Sequence, residues 1–248
     1  TDPPYNVPIR GHARSARSGH GEFLMASSEM SSEEYQAFLY EPLSLAARLT
    51  RDGGVHMICM DWRHQRELLA VAEQIYTEQL NLCVWAKTNG GMGSLYRSQH
   101  ELIGVFKCGT APHVNNVELG KHGRNRTNVW TYPGVTAFGE GRDEALAMHP
   151  TVKPLALVAD AILDVTHRGD AVFDGFVGSG TTLLAAHQTG RVGYGMELDP
   201  RYVDVALQRL ERETGIEPVL VETGETLAEV AKQRLAEKPD NEFQEVSP

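Results

Sequence analysis

Apolar positions along the chain fall into two patterns that alternate. Short, β-branched runs bounded by Gly, Asn or Asp occur at 55–60, 82–87, 102–107, 171–173, 192–196 and 218–221. Most are apolar almost throughout, as strands buried on both faces are. Between them lie longer amphipathic stretches with helical spacing at 63–78, 154–167, 181–189, 200–213 and 226–237. A further helix begins at Ser31, where Ser31 and Glu34 fit a capping box and Tyr35, Phe38 and Leu39 form the first apolar stripe. Pro42 is expected to kink or split it. Asp199 followed by Pro200 predicts a cap and a first helical turn. Strands alternating with helices predict an α/β fold wound around a central, mostly parallel, twisted sheet with helices on both faces.

Two stretches break the pattern, 7–28 and 109–147, each rich in Gly, Ser, Asn and basic residues. Both are read as long loops, which in a compact domain usually carry function. Residues 239–248 are polar and acidic and are read as a tail on a single domain spanning 1–238. The length of 248 residues supports one domain with a sizeable core. No run approaches the apolar length of a membrane helix, and the first residues lack a signal-peptide pattern. Cys59, Cys83 and Cys108 are too scattered for a disulfide framework or a zinc site, which fits a reducing, cytoplasmic setting. No cluster has metal-ligand spacing, so no metal is expected.

Net charge is −10, so a polyanionic partner must meet a local basic patch rather than the whole surface. The first long loop supplies Arg10, Arg14 and Arg17 with His12 and His20; the second supplies Lys121, His122, Arg124, Asn125, Arg126 and Asn128. These are phosphate and base-edge reagents, although any one of them alone is an ordinary solvated side chain. From Arg201 onward eleven acids face six bases, so that region can point away from a polyanion.

Three constellations carry chemistry. Asp2-Pro3-Pro4-Tyr5 opens the chain, and two prolines restrict its backbone so that the Asp2 carboxylate and Tyr5 ring are held in one orientation. A planar amino group can donate to Asp2 and to the Pro3 carbonyl while its ring stacks on Tyr5. In isolation the tetrapeptide is equally a Pro-rich turn. Phe173-Asp174-Gly175-Phe176-Val177-Gly178-Ser179-Gly180-Thr181-Thr182 joins a predicted strand to a predicted helix. Its glycines let backbone approach a ligand at a helix N-terminus. The spacing is neither the dinucleotide fingerprint nor a phosphate loop, so a nucleoside without pyrophosphate fits better. Glu197 closes the next predicted strand, about twenty residues on, where an acid can accept from ribose hydroxyls. Third, His149-Pro150-Thr151-Val152-Lys153-Pro154 precedes a helix; His149 or Thr151 can cap it, and Lys153 offers a cation to a ligand carboxylate.

In this order the three resemble the amino-group DNA methyltransferases of the β arrangement, and the resemblance covers most of the chain. It implies a Rossmann-like fold and S-adenosyl-L-methionine as methyl donor. It further implies methylation of adenine N6 on a base flipped from double-stranded DNA, as in restriction-modification. Asp2, Pro3, Pro4 and Tyr5 are then catalytic. Asp174, Gly175, Phe176, Gly178, Ser179, Gly180, Thr181, Glu197, Thr151 and Lys153 hold the cofactor, with Thr151 and Lys153 at its amino-acid moiety. The second loop becomes the target-recognition region. Residues 85–89 and the His100-Glu101 pair resemble positions near the base pocket, and a strand end and a surface pair explain them nearly as well. The strand that leads into Asp2 is not visible, and it is expected beside the strand ending at Phe173. Such an enzyme is bacterial or phage-encoded, nucleoid-associated, and compatible with a homodimer. Alternatives are cytosine-N4 methylation, or a catalytically silent DNA-binding module on the same fold.

Overall fold

A computed structural model of the chain describes residues 1–8, 24–91, 95–121, 125–134 and 152–236. Six strands and six helices form in these residues. In chain order they are α1 (Ser32–Leu49), β1 (Val55–Met60), α2 (Gln65–Ile75), β2 (Glu78–Ala86), β3 (His100–Lys107), β4 (Val129–Thr131), α3 (Leu155–Val165), β5 (Ala171–Asp174), α4 (Thr181–Thr189), β6 (Val192–Gly195), α5 (Pro200–Thr214) and α6 (Leu227–Ala236).

The first four strands pair in the order β1-β3-β2-β4, and β5 pairs with β6. The expected mostly parallel sheet is mixed. β2-β4 and β5-β6 are parallel, whereas β3 runs antiparallel to both β1 and β2, because β2 and β3 are consecutive strands with no crossover helix between them. Thr1 lies between the two groups. Its backbone donates to the Met57 carbonyl at 2.8 Å and accepts from the Cys59 amide at 3.0 Å, while its hydroxyl reaches Asp174 at the end of β5.

Burial explains the layers. On one face Tyr35, Leu39 and Leu43 of α1 and Leu68 and Val71 of α2 pack on Ile58, Met60 and Phe106. On the other, Cys83, Trp85, Ile103 and Val105 meet Trp130 of β4 and Leu157 of α3. Helix α3 then continues onto α4 through Ile162, Ala185 and Ala186. The expected capping box of α1 forms, with the Glu34 amide donating to Ser31 Oγ and the Ser31 amide to Glu34.

Four element boundaries differ from expectation. The predicted helix 63–78 ends at Ile75, and β2 starts at Glu78, four residues before the predicted strand 82–87. Pro42 does not split α1, which runs unbroken over it. The predicted strand at 218–221 reduces to an isolated bridge between Val219 and Thr226, since Val219 and Val221 are exposed with no sheet face to cover them. The predicted loop 109–147 contains β4, which the buried Trp130 anchors beside β2. No helix among the described residues is long and apolar enough to cross a membrane.

Candidate functional site

The opening tetrapeptide folds as a braced clamp at the carboxyl ends of β1 and β5. Pro3 is fully buried, and Pro4 presents its carbonyl to the Tyr35 hydroxyl of α1 at 2.8 Å. Asn6, held at φ +51°, ties the clamp to the segment before α1. Its side chain donates to the Met30 carbonyl at 2.8 Å and accepts from the Ser28 and Met30 amides. These brackets leave Asp2 and Tyr5 facing one another, and the Tyr5 hydroxyl donates to Asp2 Oδ1 at 2.6 Å.

A small cluster of charges closes around that pair. Lys153 Nζ donates to Asp2 Oδ2 at 2.5 Å and sits 3.0 Å from Glu101 Oε2 and 5.5 Å from the Tyr5 ring centroid. Glu101 Oε1 is taken by Lys87, whose ammonium also stacks over the Trp85 ring. Register places Lys87 and Glu101 together: Trp85 pairs with Glu101 and Ala86 with His100, and the Lys87 amide donates to the Gln99 carbonyl. Burial opposes the charge on Glu101, but Lys153 and Lys87 outweigh it and its pKa falls to about 2. Burial also raises Asp2; Lys153 offsets this only in part, and the like charge of Glu101 adds to it. The same burial disfavours the Lys153 ammonium, yet two adjacent carboxylates outweigh it and raise its pKa.

The glycine-rich turn stands next to the clamp, at the ends of β5 and β6. The Thr1 hydroxyl donates to Asp174 Oδ1 at 2.6 Å, the Thr182 hydroxyl to Oδ2 at 2.6 Å, and the Phe176 amide to Oδ1 at 3.1 Å. Burial works against the Asp174 charge, while these three donors lower its pKa. The turn bends back at Gly178, φ +51°, whose amide donates to Glu197 Oε2 at 2.8 Å; the other Glu197 oxygen accepts from the Asp199 amide at 3.0 Å. Phe176 sits 6.0 Å from the Phe38 ring, on the α1 side, and Gly175 follows Asp174 at the strand end. Thus Asp2, Tyr5, Asp174, Phe176 and Glu197 share one end of the molecule.

Several expected site residues are elsewhere. Lys153, expected at a ligand carboxylate, is buried against Asp2 and Glu101 instead. Ser179 and Thr181 turn away from the opening: Arg209 of α5 donates to both hydroxyls and to the Ser179 carbonyl, so they fasten the turn to that helix. Gly180, φ +81°, packs where a Cβ would lie 3.1 Å from Ala206. Arg126 does not point outward to a polyanion. It pairs with Asp164 at 2.6 Å and lies 4.6 Å over the Trp130 ring. Asn128 bridges to Asn81 and the Leu82 carbonyl, stitching β4 to β2. Asn125 and Lys121 are exposed, with Lys121 3.8 Å from Glu118. Arg10, Arg14, Arg17, Arg124, His149 and Thr151 lie outside the described residues.

Sequence reasoning assigned no role at the site to Thr1, Asn6, Tyr35 or Thr182. Their signal was positional only: each flanks a motif or faces it from α1. No group of three His, Cys, Asp or Glu among the described residues could hold a metal.

The chain is 26% identical over 227 residues, 86% of its length, to the type II methyltransferase M.HpaI of Haemophilus parainfluenzae. It is 27% identical over 84% of its length to the type II methyltransferase M.HinfI of Haemophilus influenzae. It spans 67% of the first relative and 61% of the second. Among solved structures, the complex of M1.HpyAVI with S-adenosylmethionine superposes with a TM-score of 0.59 at 25% identity, covering 70% of this chain and 82% of that one. The profile of the DNA methylases acting on adenine N6 or cytosine N4 matches residues 1–208, and the chain belongs to that family.

Proposed function

We propose that the chain is a site-specific DNA methyltransferase that uses S-adenosylmethionine and methylates the exocyclic N6 of an adenine flipped from duplex DNA. One observation carries this reading: the Thr1 hydroxyl touches Asp174 of the glycine-rich turn at 2.6 Å, while the adjacent residue, Asp2, holds the clamp. A ligand at the turn and a base in the clamp are therefore neighbours, as direct transfer requires.

The turn fits a cationic nucleoside. Glycines at 175 and 178 keep side chains out of the approach, Glu197 is oriented by two amides to accept from hydroxyls, and Asp174 adds a buried negative charge. S-adenosylmethionine supplies a methyl group already activated on a sulfonium. The chain supplies position and field. Asp2 accepts from the target amine, the Pro3 carbonyl offers a second acceptor, and the Tyr5 ring gives the extruded base a stacking platform against its unstacking cost. Accepting both N–H bonds frees the amine lone pair from the ring. Asp2 and Glu101 favour the positive charge that then develops on nitrogen.

The test is transfer of tritiated methyl from S-adenosylmethionine to unmethylated DNA, followed by hydrolysis and identification of the nucleoside. N6-methyladenine is expected, and Asp2→Ala should lower kcat by at least about 100-fold while leaving S-adenosylhomocysteine binding intact. Recovery of N4-methylcytosine would replace the adenine assignment. Heat of S-adenosylhomocysteine binding without any transfer would support a silent DNA-binding module instead.

A further inference from the structure

Both oxygens of the clamp carboxylate are already engaged: Oδ1 accepts from Tyr5 at 2.6 Å and Oδ2 from Lys153 at 2.5 Å. Lys153 moreover sets an N–H donor on Asp2 against the Tyr5 ring, the position assigned above to the target amine. Each oxygen keeps a further acceptor site, but the side of Asp2 that faces the Tyr5 ring is held by the ammonium, which must move aside before an amine can bind there. Lys153 has somewhere to go, because Glu101 Oε2 is already 3.0 Å away while Lys87 holds Glu101 Oε1 fixed.

We propose that Glu101 is a positioning residue that takes over the Lys153 ammonium, so that the target amine replaces Lys153 on Asp2. The inference rests on the methyltransferase reading. Its physical basis is the charge count of the cluster. Asp2 and Glu101 balance Lys87 and Lys153, and a neutral amine enters without disturbing that balance. Lys153 shifts from two carboxylates to one, so a buried ammonium is never left unpaired, which would be strongly unfavourable. Asp2, released from its cation, then faces a nitrogen that is becoming positive, and their attraction grows only as the methyl group is transferred. Remove Glu101, and Lys153 has no second carboxylate, only the Tyr5 hydroxyl 3.2 Å away. It stays on Asp2 and competes with the substrate.

The full chain and its Glu101→Gln, Lys153→Met and double variants would be assayed for methyl transfer to unmethylated bacteriophage λ DNA, with kcat and KM for DNA measured across pH. Melting curves and S-adenosylhomocysteine calorimetry would report on folding. Glu101→Gln is expected to raise KM for DNA by about tenfold or more, and to move the acid limb of kcat/KM to lower pH, because Asp2 loses a like-charged neighbour and keeps its cation. Adding Lys153→Met to that variant should recover most of the lost kcat/KM and move the limb back up. Should Glu101→Gln melt below the assay temperature, Glu101→Asp, which withdraws the oxygen from Lys153, must show the same KM rise and the same rescue. A double variant no better than Glu101→Gln alone, or an unchanged KM in Glu101→Gln, overturns the inference while leaving the methyltransferase reading in place. A wild-type chain that binds S-adenosylhomocysteine yet transfers no methyl to DNA overturns both.

Discussion

Two half-buried carboxylates share one ammonium at the clamp, and their unequal company makes them unequal acids. Glu101 has two lysines and ionises at about 2; Asp2, pushed up by burial and by Glu101, protonates first as pH falls. Methyl transfer should therefore fail on the acid side at a pH above the 3.8 of an ordinary aspartate, and the pH profile of kcat/KM reads this directly. Stability follows Glu101 with the opposite sign. A depressed carboxylate stabilises the fold above its ordinary 4.5, and that contribution fades as pH falls toward 2. The melting temperature of Glu101→Gln should lie below that of the wild type at neutral pH, and the gap should close in acid. On the cofactor side, Glu197→Gln removes the charge and one of the two amide hydrogen bonds of the turn, because its NH2 cannot accept from the Gly178 or Asp199 amide. It should raise KM for S-adenosylmethionine by about tenfold, the scale of a charged hydrogen bond, with little change in KM for DNA. Asp2, Tyr5, Asp174 and Glu197 were legible because each sits in a short motif whose chemistry is local. Lys153 was named too, but its contact was not: its partner Asp2 is 151 positions away, and nothing near Lys153 in sequence tells which carboxylate it meets.

Elements were legible wherever one face had to be buried. The runs at 55–60 and 102–107 became β1 and β3 within two residues because their apolar positions pack into the two core layers, whereas 171–173 became β5 by pairing with β6 although Phe173 stays exposed. The periodicity failed at β4, three residues whose placement depends on pairing with β2 rather than on any pattern of their own. It also failed at 218–221, where apolar residues met no partner layer. Pro42 is the opposite case, a local rule overridden by packing. Leu39 and Leu43 on either side of it are buried in the α1–α2 core, which holds the helix together across a missing N–H. Pro42→Ala would restore a donor toward the Phe38 carbonyl and should raise stability by about 1 kcal/mol or more, as measured by denaturant midpoint. At the start of α4, Gly180→Ala should do the reverse: its φ of +81° and the 3.1 Å approach to Ala206 together cost on the order of 1–2 kcal/mol.

At the scale of the whole molecule, a protein of net charge −10 that acts on DNA must do so through a local field. KM for DNA should climb steeply with salt while KM for S-adenosylmethionine stays nearly flat, and replacing Arg10, Arg14 and Arg17 together should flatten the DNA dependence. The sequence order of the motifs foretold that clamp and turn would meet; how they meet, through the hydroxyl of Thr1, was invisible to any motif. That single hydrogen bond fastens the residue before the clamp to the strand end that opens the glycine-rich turn. Whatever tightens Asp174 must then be felt at Asp2, and by thermodynamic reciprocity the favour is returned: each ligand should change the dissociation constant of the other by one common factor.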